Sequence, residues 1–184
     1  MTTNPANSAF QTYPTVLDAL ASPVPESITL EQAVVLPLAI STACSGLYPK
    51  DRLNLPLPTV TKPEKNGKVV LIWGGASSVG ATAVQLAVAS GVTVVTTASS
   101  ANHELMKSLG ADYVFDYRSS TVVQDIVRVV ENADFAGIYD AIGEESSFNA
   151  ESEILDQLKK KVPVASVLPS SKSTDLFNPV YGEY

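Results

Sequence analysis

An α/β fold built on a doubly wound parallel sheet is what this sequence predicts, and three observations predict it. From Lys68 onward, short apolar runs alternate with helix-like stretches in a regular β–α order. The first run, Val69 to Trp73, is followed at once by glycines that open a helix. The runs are nearly continuous in apolar residues, as strands buried on both faces are. Five to six strands with helices on both faces follow from that order.

The elements can be taken along the chain. Residues 1–28 lack periodicity and are expected to be extended or irregular. Thr29-Leu-Glu-Gln32 fits a capping box and predicts a short helix. Pro37 should break or kink it, and a second helix is expected from Leu38 to Leu47. Residues 49–67, rich in proline, lysine and leucine, form a connection. Strands are then predicted at 69–73, 92–97, 112–115, 135–140 and 162–167, with a weaker sixth around 179–184. Helices are predicted at 78–90, 101–109, 119–131 and 150–160. Gly91 should close the first of these.

Composition narrows the function classes. The chain has 184 residues, 45 % hydrophobic and 17 % charged, which is globular rather than disordered. A net charge of −7 argues against nucleic acid or an anionic membrane as partner. Cys44 is the only cysteine and His103 the only histidine. No intrachain disulfide and no cysteine-based zinc site can be built from them, and no metal is expected. Cys44 is expected to be a small buried residue of the second helix. His103 is expected on an exposed helix face, outside catalysis. Met1 to Ser8 has neither a basic region nor an apolar core, and the run Ala33–Ile40 is short for a membrane span. A cytoplasmic location is the resulting expectation.

The chemistry is carried by the turn after the first strand. Gly74, Gly75 and Gly80 surround Ala76, Ser77, Ser78 and Val79. Glycine permits the tight turn, and the helix that opens there presents unpaired N–H groups and a dipole to an anion. A pyrophosphate fits best, so the unit reads as Rossmann-type dinucleotide binding. Gly75 and Gly80 are expected to serve cofactor approach more than folding.

NAD-binding folds usually end the second strand with a carboxylate that accepts the ribose hydroxyls. Here that strand ends Thr96-Thr97-Ala98-Ser99-Ser100, with hydroxyls and no carboxylate. NADPH is therefore expected over NADH. A serine-rich helix cap is the alternative reading, and the two are compatible. Tyr117 and Arg118 follow the third strand, where they either flank the adenine end or form a surface pair. Ala141-Ile142-Gly143 and Val167-Leu168-Pro169 follow the fourth and fifth strands, placed to line the nicotinamide side. The glycine–serine turn is shared with short-chain dehydrogenases, but no tyrosine here has a lysine four residues later. A methyltransferase using S-adenosylmethionine would want an acid ending the second strand, against Thr97 and Ala98.

Several strings together resemble the medium-chain dehydrogenase/reductase superfamily, and within it the zinc-independent fungal branch related to quinone and enoyl reductases. They are Ala9-Phe-Gln-Thr-Tyr13, Pro25-Glu-Ser-Ile28, Glu31-Gln-Ala-Val-Val-Leu-Pro37, Ser41-Thr-Ala43 with Gly46-Leu47, Leu71-Ile-Trp-Gly-Gly-Ala-Ser-Ser-Val-Gly80, Ser108-Leu-Gly-Ala-Asp-Tyr-Val-Phe-Asp-Tyr117 and Asp140-Ala-Ile-Gly143. The resemblance implies hydride transfer from NADPH to an enone, quinone or carbonyl. It implies that Ser77, Ser78 and Val79 meet the pyrophosphate. Ser99, Ser100 and Asn102 would sit near the 2′-phosphate, Tyr117 beside it, and Thr42 near the nicotinamide half. Ala101 stands where some members carry lysine or arginine.

The same resemblance divides the chain. Residues 1–50 correspond to the end of a catalytic domain and its linking helices, 51–67 to a connection, and 68–184 to the cofactor domain, itself expected to be cut short. Most of a GroES-like catalytic domain is missing by this reading, so the chain alone is expected to be inactive. A homodimer through the sheet edge is a further expectation. The alternative is a non-catalytic dinucleotide-binding or interaction module that has lost its catalytic domain.

Overall fold

The computed structural model describes residues 10–61 and 63–181. The expected irregular start over 1–9 and the last three residues of the expected sixth strand lie outside the described residues. The chain divides into two compact units, residues 1–37 with 183–184, and 38–182.

In the first unit, a single 3₁₀ turn spans Asp18–Leu20 and helix α1 spans Leu30–Ala33. The sequence capping box is realised. The Thr29 hydroxyl accepts the Gln32 N–H at 3.3 Å, and the Gln32 side chain accepts the Thr29 N–H at 2.9 Å. Two N–H groups that a helix start leaves unpaired are thereby satisfied.

The second unit carries helix α2 (Pro37–Leu47) from its second residue on, and the sheet. Pro37 starts α2 rather than breaking a longer helix, because its missing N–H costs nothing at the first helical position. By length and composition alone, the stretch Leu30–Leu47 (mean hydropathy 1.4) passes as a membrane span. It is built as two helices, of 4 and 11 residues.

The sheet has six parallel strands: β1 (Lys68–Trp73), β2 (Thr93–Thr97), β3 (Tyr113–Phe115), β4 (Asp134–Asp140), β5 (Val164–Ser166) and β6 (Pro179–Tyr181). Their order is β3-β2-β1-β4-β5-β6. Four helices cross between strands: α3 (Ser78–Ala89), α4 (His103–Ser108), α5 (Val122–Val130) and α6 (Glu145–Leu158). The strand order reverses between β1 and β4, and that is where a doubly wound sheet opens a crevice.

Strand β1 shows why its sequence is apolar throughout. Val70 and Ile72 face one core with Ala43 and Leu47 of α2, Ala83, Val84 and Ala87 of α3, and Met106 of α4. Val69, Leu71 and Trp73 face the other with Val123 and Ile126 of α5 and Phe148, Ile154 and Leu155 of α6. The small residues of α3 let it lie close to the sheet. Gly91, at φ +73°, turns the chain out of α3 and into β2.

Two elements differ from expectation. Helix α6 begins at Glu145, five residues before the predicted start at 150. Its cap is unusual: the Glu144 carboxylate accepts the Ser147 N–H, and the Ser147 hydroxyl accepts the Glu144 N–H at 3.2 Å. The roles of acid and hydroxyl are exchanged from the usual order, and the polar run Glu144–Ser147 reads as loop. The predicted helix 101–109 splits into a 3₁₀ turn, Ser100–Asn102, and α4. Cys44 is half-buried, with burial pushing its thiol up. His103 is also half-buried, its Nε2 lying 3.2 Å from the Ala98 carbonyl.

Candidate dinucleotide site

A cavity of about 310 Å³ lies at the carboxyl ends of the strands, over the switch between β1 and β4. The end of β1 gives Trp73 and Gly74, and the turn gives Ala76 and Ser77. Thr97, Ala98, Ser99 and Asn102 come from the end of β2, and Tyr117 from the end of β3. Ile142, Glu144 and Ser146 close the β4 side.

The turn is organised by hydrogen bonds from β2. The Gly74 N–H donates to the Thr97 hydroxyl at 2.9 Å, and the Gly75 N–H to the Thr97 carbonyl at 2.9 Å. Thr97 thus both lines the cavity and holds the glycines in place. Ser77 caps α3, its hydroxyl accepting the Gly80 N–H at 3.0 Å. What remains open at the helix start is the N–H pair of Ser78 and Val79, which have no acceptor one turn back. The α3 dipole adds to the attraction for an anion there. Ser78 and Val79 flank the cavity lining without forming part of it.

Glycine is required at two points of this turn. A Cβ on Gly80 would collide with the Gly74 carbonyl and with Cα of Gly75, both backbone atoms. A Cβ on Gly75 would collide with the Thr96 hydroxyl, which donates to the Ile72 carbonyl at 2.7 Å. Both glycines serve the packing of turn on strand, in addition to leaving the path to a ligand open.

The β2–β3 side of the cavity has a different chemistry. Ser99 and Asn102 line the cavity and touch, the Asn102 amide donating to the Ser99 hydroxyl at 3.2 Å. Ser100 does not line it, and its N–H donates to Asp116 at 3.2 Å. Asp116 also accepts the Arg118 N–H at 2.9 Å. The Arg118 N–H first, then that of Ser100, hold the Asp116 carboxyl below the usual carboxylate range. Arg118 lies over the ring of Tyr117, 5.2 Å from its centre, a cation–π arrangement at the cavity edge.

The β4 side is shaped by Asp140. One of its oxygens accepts the N–H groups of Ile142 (2.8 Å) and Gly143 (3.1 Å), and the other accepts the Ser147 hydroxyl (2.8 Å). Burial pushes its pKa up, and these three donors oppose the shift. Gly143 takes φ +73°, and the Leu168 side chain fills the space a Cβ would need. Ala141 is fixed by its N–H to the Trp73 carbonyl at 3.0 Å. Ile142 presents this wall to the cavity, and Ala141, Gly143, Val167 and Leu168 do not line it.

Of the expected site residues, Ser77, Thr97, Ser99, Asn102, Tyr117 and Ile142 converge on one cavity. Thr42 does not line it. It is buried on α2, and its carbonyl accepts the Tyr139 hydroxyl at 3.0 Å. The sequence reading passed over Glu144 and Ser146, whose place depends on the early start of α6. It also passed over Trp73, although the end of β1 was the position to look at.

Residues 78–181 match the model of the zinc-binding dehydrogenase family. A trans-enoyl reductase of Aspergillus japonicus is 48% identical over 143 residues, covering 78% of this chain and 40% of that protein. A dehydrogenase of Monascus ruber is 44% identical over 160 residues, 87% of this chain and 43% of its own length. The chain therefore spans about two-fifths of the curated relatives it matches. Among solved structures, a mycobacterial protein complexed with NADPH is 27% identical at a TM-score of 0.55, covering 78% of this chain and 39% of that one.

Proposed function

This chain belongs to the zinc-binding dehydrogenase family, and from that premise we propose that it is the NADPH-binding part of a zinc-independent medium-chain oxidoreductase. The observation that carries the reading is the cavity over the β1–β4 switch, with a helix start on its floor and hydroxyls on its β2 wall. The N–H groups of Ser78 and Val79, with the Ser77 hydroxyl, would hold the pyrophosphate. Ser99, Asn102 and Tyr117, with Arg118 behind the Tyr117 ring, would take the 2′-phosphate. Ile142 and Glu144 would bound the nicotinamide side.

When bound, NADPH supplies a hydride for an enone, quinone or carbonyl. This chain's own residues bind and orient it. The reading without zinc rests on the resemblance to the quinone and enoyl reductase branch. The chain has one histidine and one cysteine, and among the described residues no three His, Cys, Asp or Glu side chains gather to hold a metal. Among the described strands β6 lies at a sheet edge, which supports pairing with a second copy.

Calorimetric titration with NADPH and NADH tests the reading. A phosphate held by neutral donors and one arginine is worth about 1–3 kcal/mol. That corresponds to roughly 5- to 150-fold tighter binding of NADPH. Equal affinities would remove the NADPH preference, and no binding of either would remove the function.

A further inference from the structure

Behind the β4 wall of the cavity lies a second carboxyl group. Glu151 is fully buried, and among the described residues neither of its side-chain oxygens has a hydrogen-bond partner. It sits one turn after Ser147 on α6, on the same face of the helix, and Ser147 donates to Asp140. Glu151 and Asp140 are thus neighbours in a space closed to water. Their partners are unequal. Asp140 accepts three hydrogen bonds, which favour its anion, whereas Glu151 accepts none.

Two adjacent buried anions, one of them without a donor, are not sustained in a low-dielectric interior. We propose that Glu151 is a positioning residue of the dinucleotide site: held as a neutral acid, it leaves Asp140 the single anion that fixes the Ile142–Gly143 backbone against the cavity. The proposal rests on the dinucleotide reading for its functional meaning. Burial first, and then the charge of Asp140, push the Glu151 carboxyl well above the usual carboxylate range. Asp140 feels Glu144 as its like-charged neighbour. Helix α5, which packs on α6, carries Asp125 and Arg128, but these pair with each other at 2.7 Å. Lys172 reaches α6 at Asn149 and is occupied there at 2.8 Å. None of these supplies Glu151 with a counter-ion. Its ionisation as pH rises therefore sets two anions side by side and weakens the hold of Asp140 on the loop.

Trp73 is the only tryptophan, lines the cavity, and accepts the Ala141 N–H. Its fluorescence therefore reports the loop without any ligand. The experiment is a titration of Trp73 emission with rising pH in the full chain and in Glu151→Gln, with Glu151→Met as a second neutral variant should the amide not fold. The wild type is expected to show a transition that both variants lack. Its NADPH dissociation constant, read from the quenching of the same tryptophan, should rise about tenfold through that transition. The variants should stay within about twofold over the same range. Superimposable titrations of wild type and variant, or no transition in either while the chain stays folded, would overturn the proposal. Absence of NADPH quenching with the transition intact would instead count against the dinucleotide reading alone.

Discussion

The hydroxyl of Tyr139 donates to the carbonyl of Thr42 at 3.0 Å, a buried bond that ties α2 to the central strand β4. The ring reaches α2 because position 46 is glycine. A Cβ there would collide with the Tyr139 ring. Tyr139→Phe should lower stability by about 1 kcal/mol, the usual worth of such a bond. Gly46→Ala should cost about 1–3 kcal/mol through overpacking, despite the better helix propensity of alanine. Urea midpoints at constant m-value check both.

A carboxylate placed where NAD-binding sheets carry one should reverse the cofactor preference. Ser99→Asp adds a negative charge to the hydroxyl wall. NADPH affinity should fall about tenfold, near 1.4 kcal/mol, while NADH affinity holds or rises. An unchanged ratio of the two constants would detach Ser99 from the 2′-phosphate.

Gly80→Ala puts its methyl group against the Gly74 carbonyl, so the turn itself must move. Both the melting temperature and NADPH affinity should drop, the latter by at least about tenfold. The sequence reading expected an effect on binding more than on folding. The backbone collision makes it both.

Asp140→Asn keeps an acceptor for the Ile142 and Gly143 N–H groups and removes the buried charge. The Asp140 pKa is raised by burial. Its contribution to stability is therefore complete below its ordinary value of about 3.8 and lost as pH rises through the folded value. Relative to the asparagine variant, the wild type should lose stability as pH climbs over that window. Urea midpoints that run parallel in pH would show that Asp140 titrates as it does in the unfolded chain.

Hydride transfer needs the substrate carbon within about 3–3.5 Å of the nicotinamide, and donors for the charge that develops. On the proposed reading, the β4 wall would offer Ile142, Glu144 and Ser146 to the nicotinamide. The chain alone should oxidise NADPH slowly with quinones, enones or enoyl thioesters. Turnover near the median enzyme rate of about 10 per second would show that these residues suffice.

The β1–turn–α3 unit was legible because an unbroken apolar run, glycines and a helix of small residues point to one answer. The Thr29 capping box was legible for the same reason, a local chemistry with a fixed spacing. Helix α6 was not. It buries Ser147, Glu151 and Ser152, so its inward face does not look apolar, and its cap puts the acid first. It ends on Lys159 at φ +50°, where glycine would have announced the stop. Losing the start of α6 also hid Glu144 and Ser146. The strand-end rule pointed to Ser99, Tyr117 and Ile142, which line the cavity, with no knowledge of α6. No periodicity could pair Asp140 with Glu151, because a buried acid is recognised only by what surrounds it.

The placement of β1 in mid-sheet has a consequence for how the chain is made. Its partner on one edge, β2, follows after a single crossover, whereas its other partner, β4, emerges far later. During synthesis the β1–β2–β3 half can assemble while the second edge of Val70, Leu71 and Ile72 still waits for Gly137, Ile138 and Tyr139. That interval exposes an unpaired apolar edge, the kind of surface on which partly made chains aggregate. Yield in a host is thus expected to respond to the speed of translation between β3 and β4, and to chaperones that cover such an edge, more than to the stability of the finished fold.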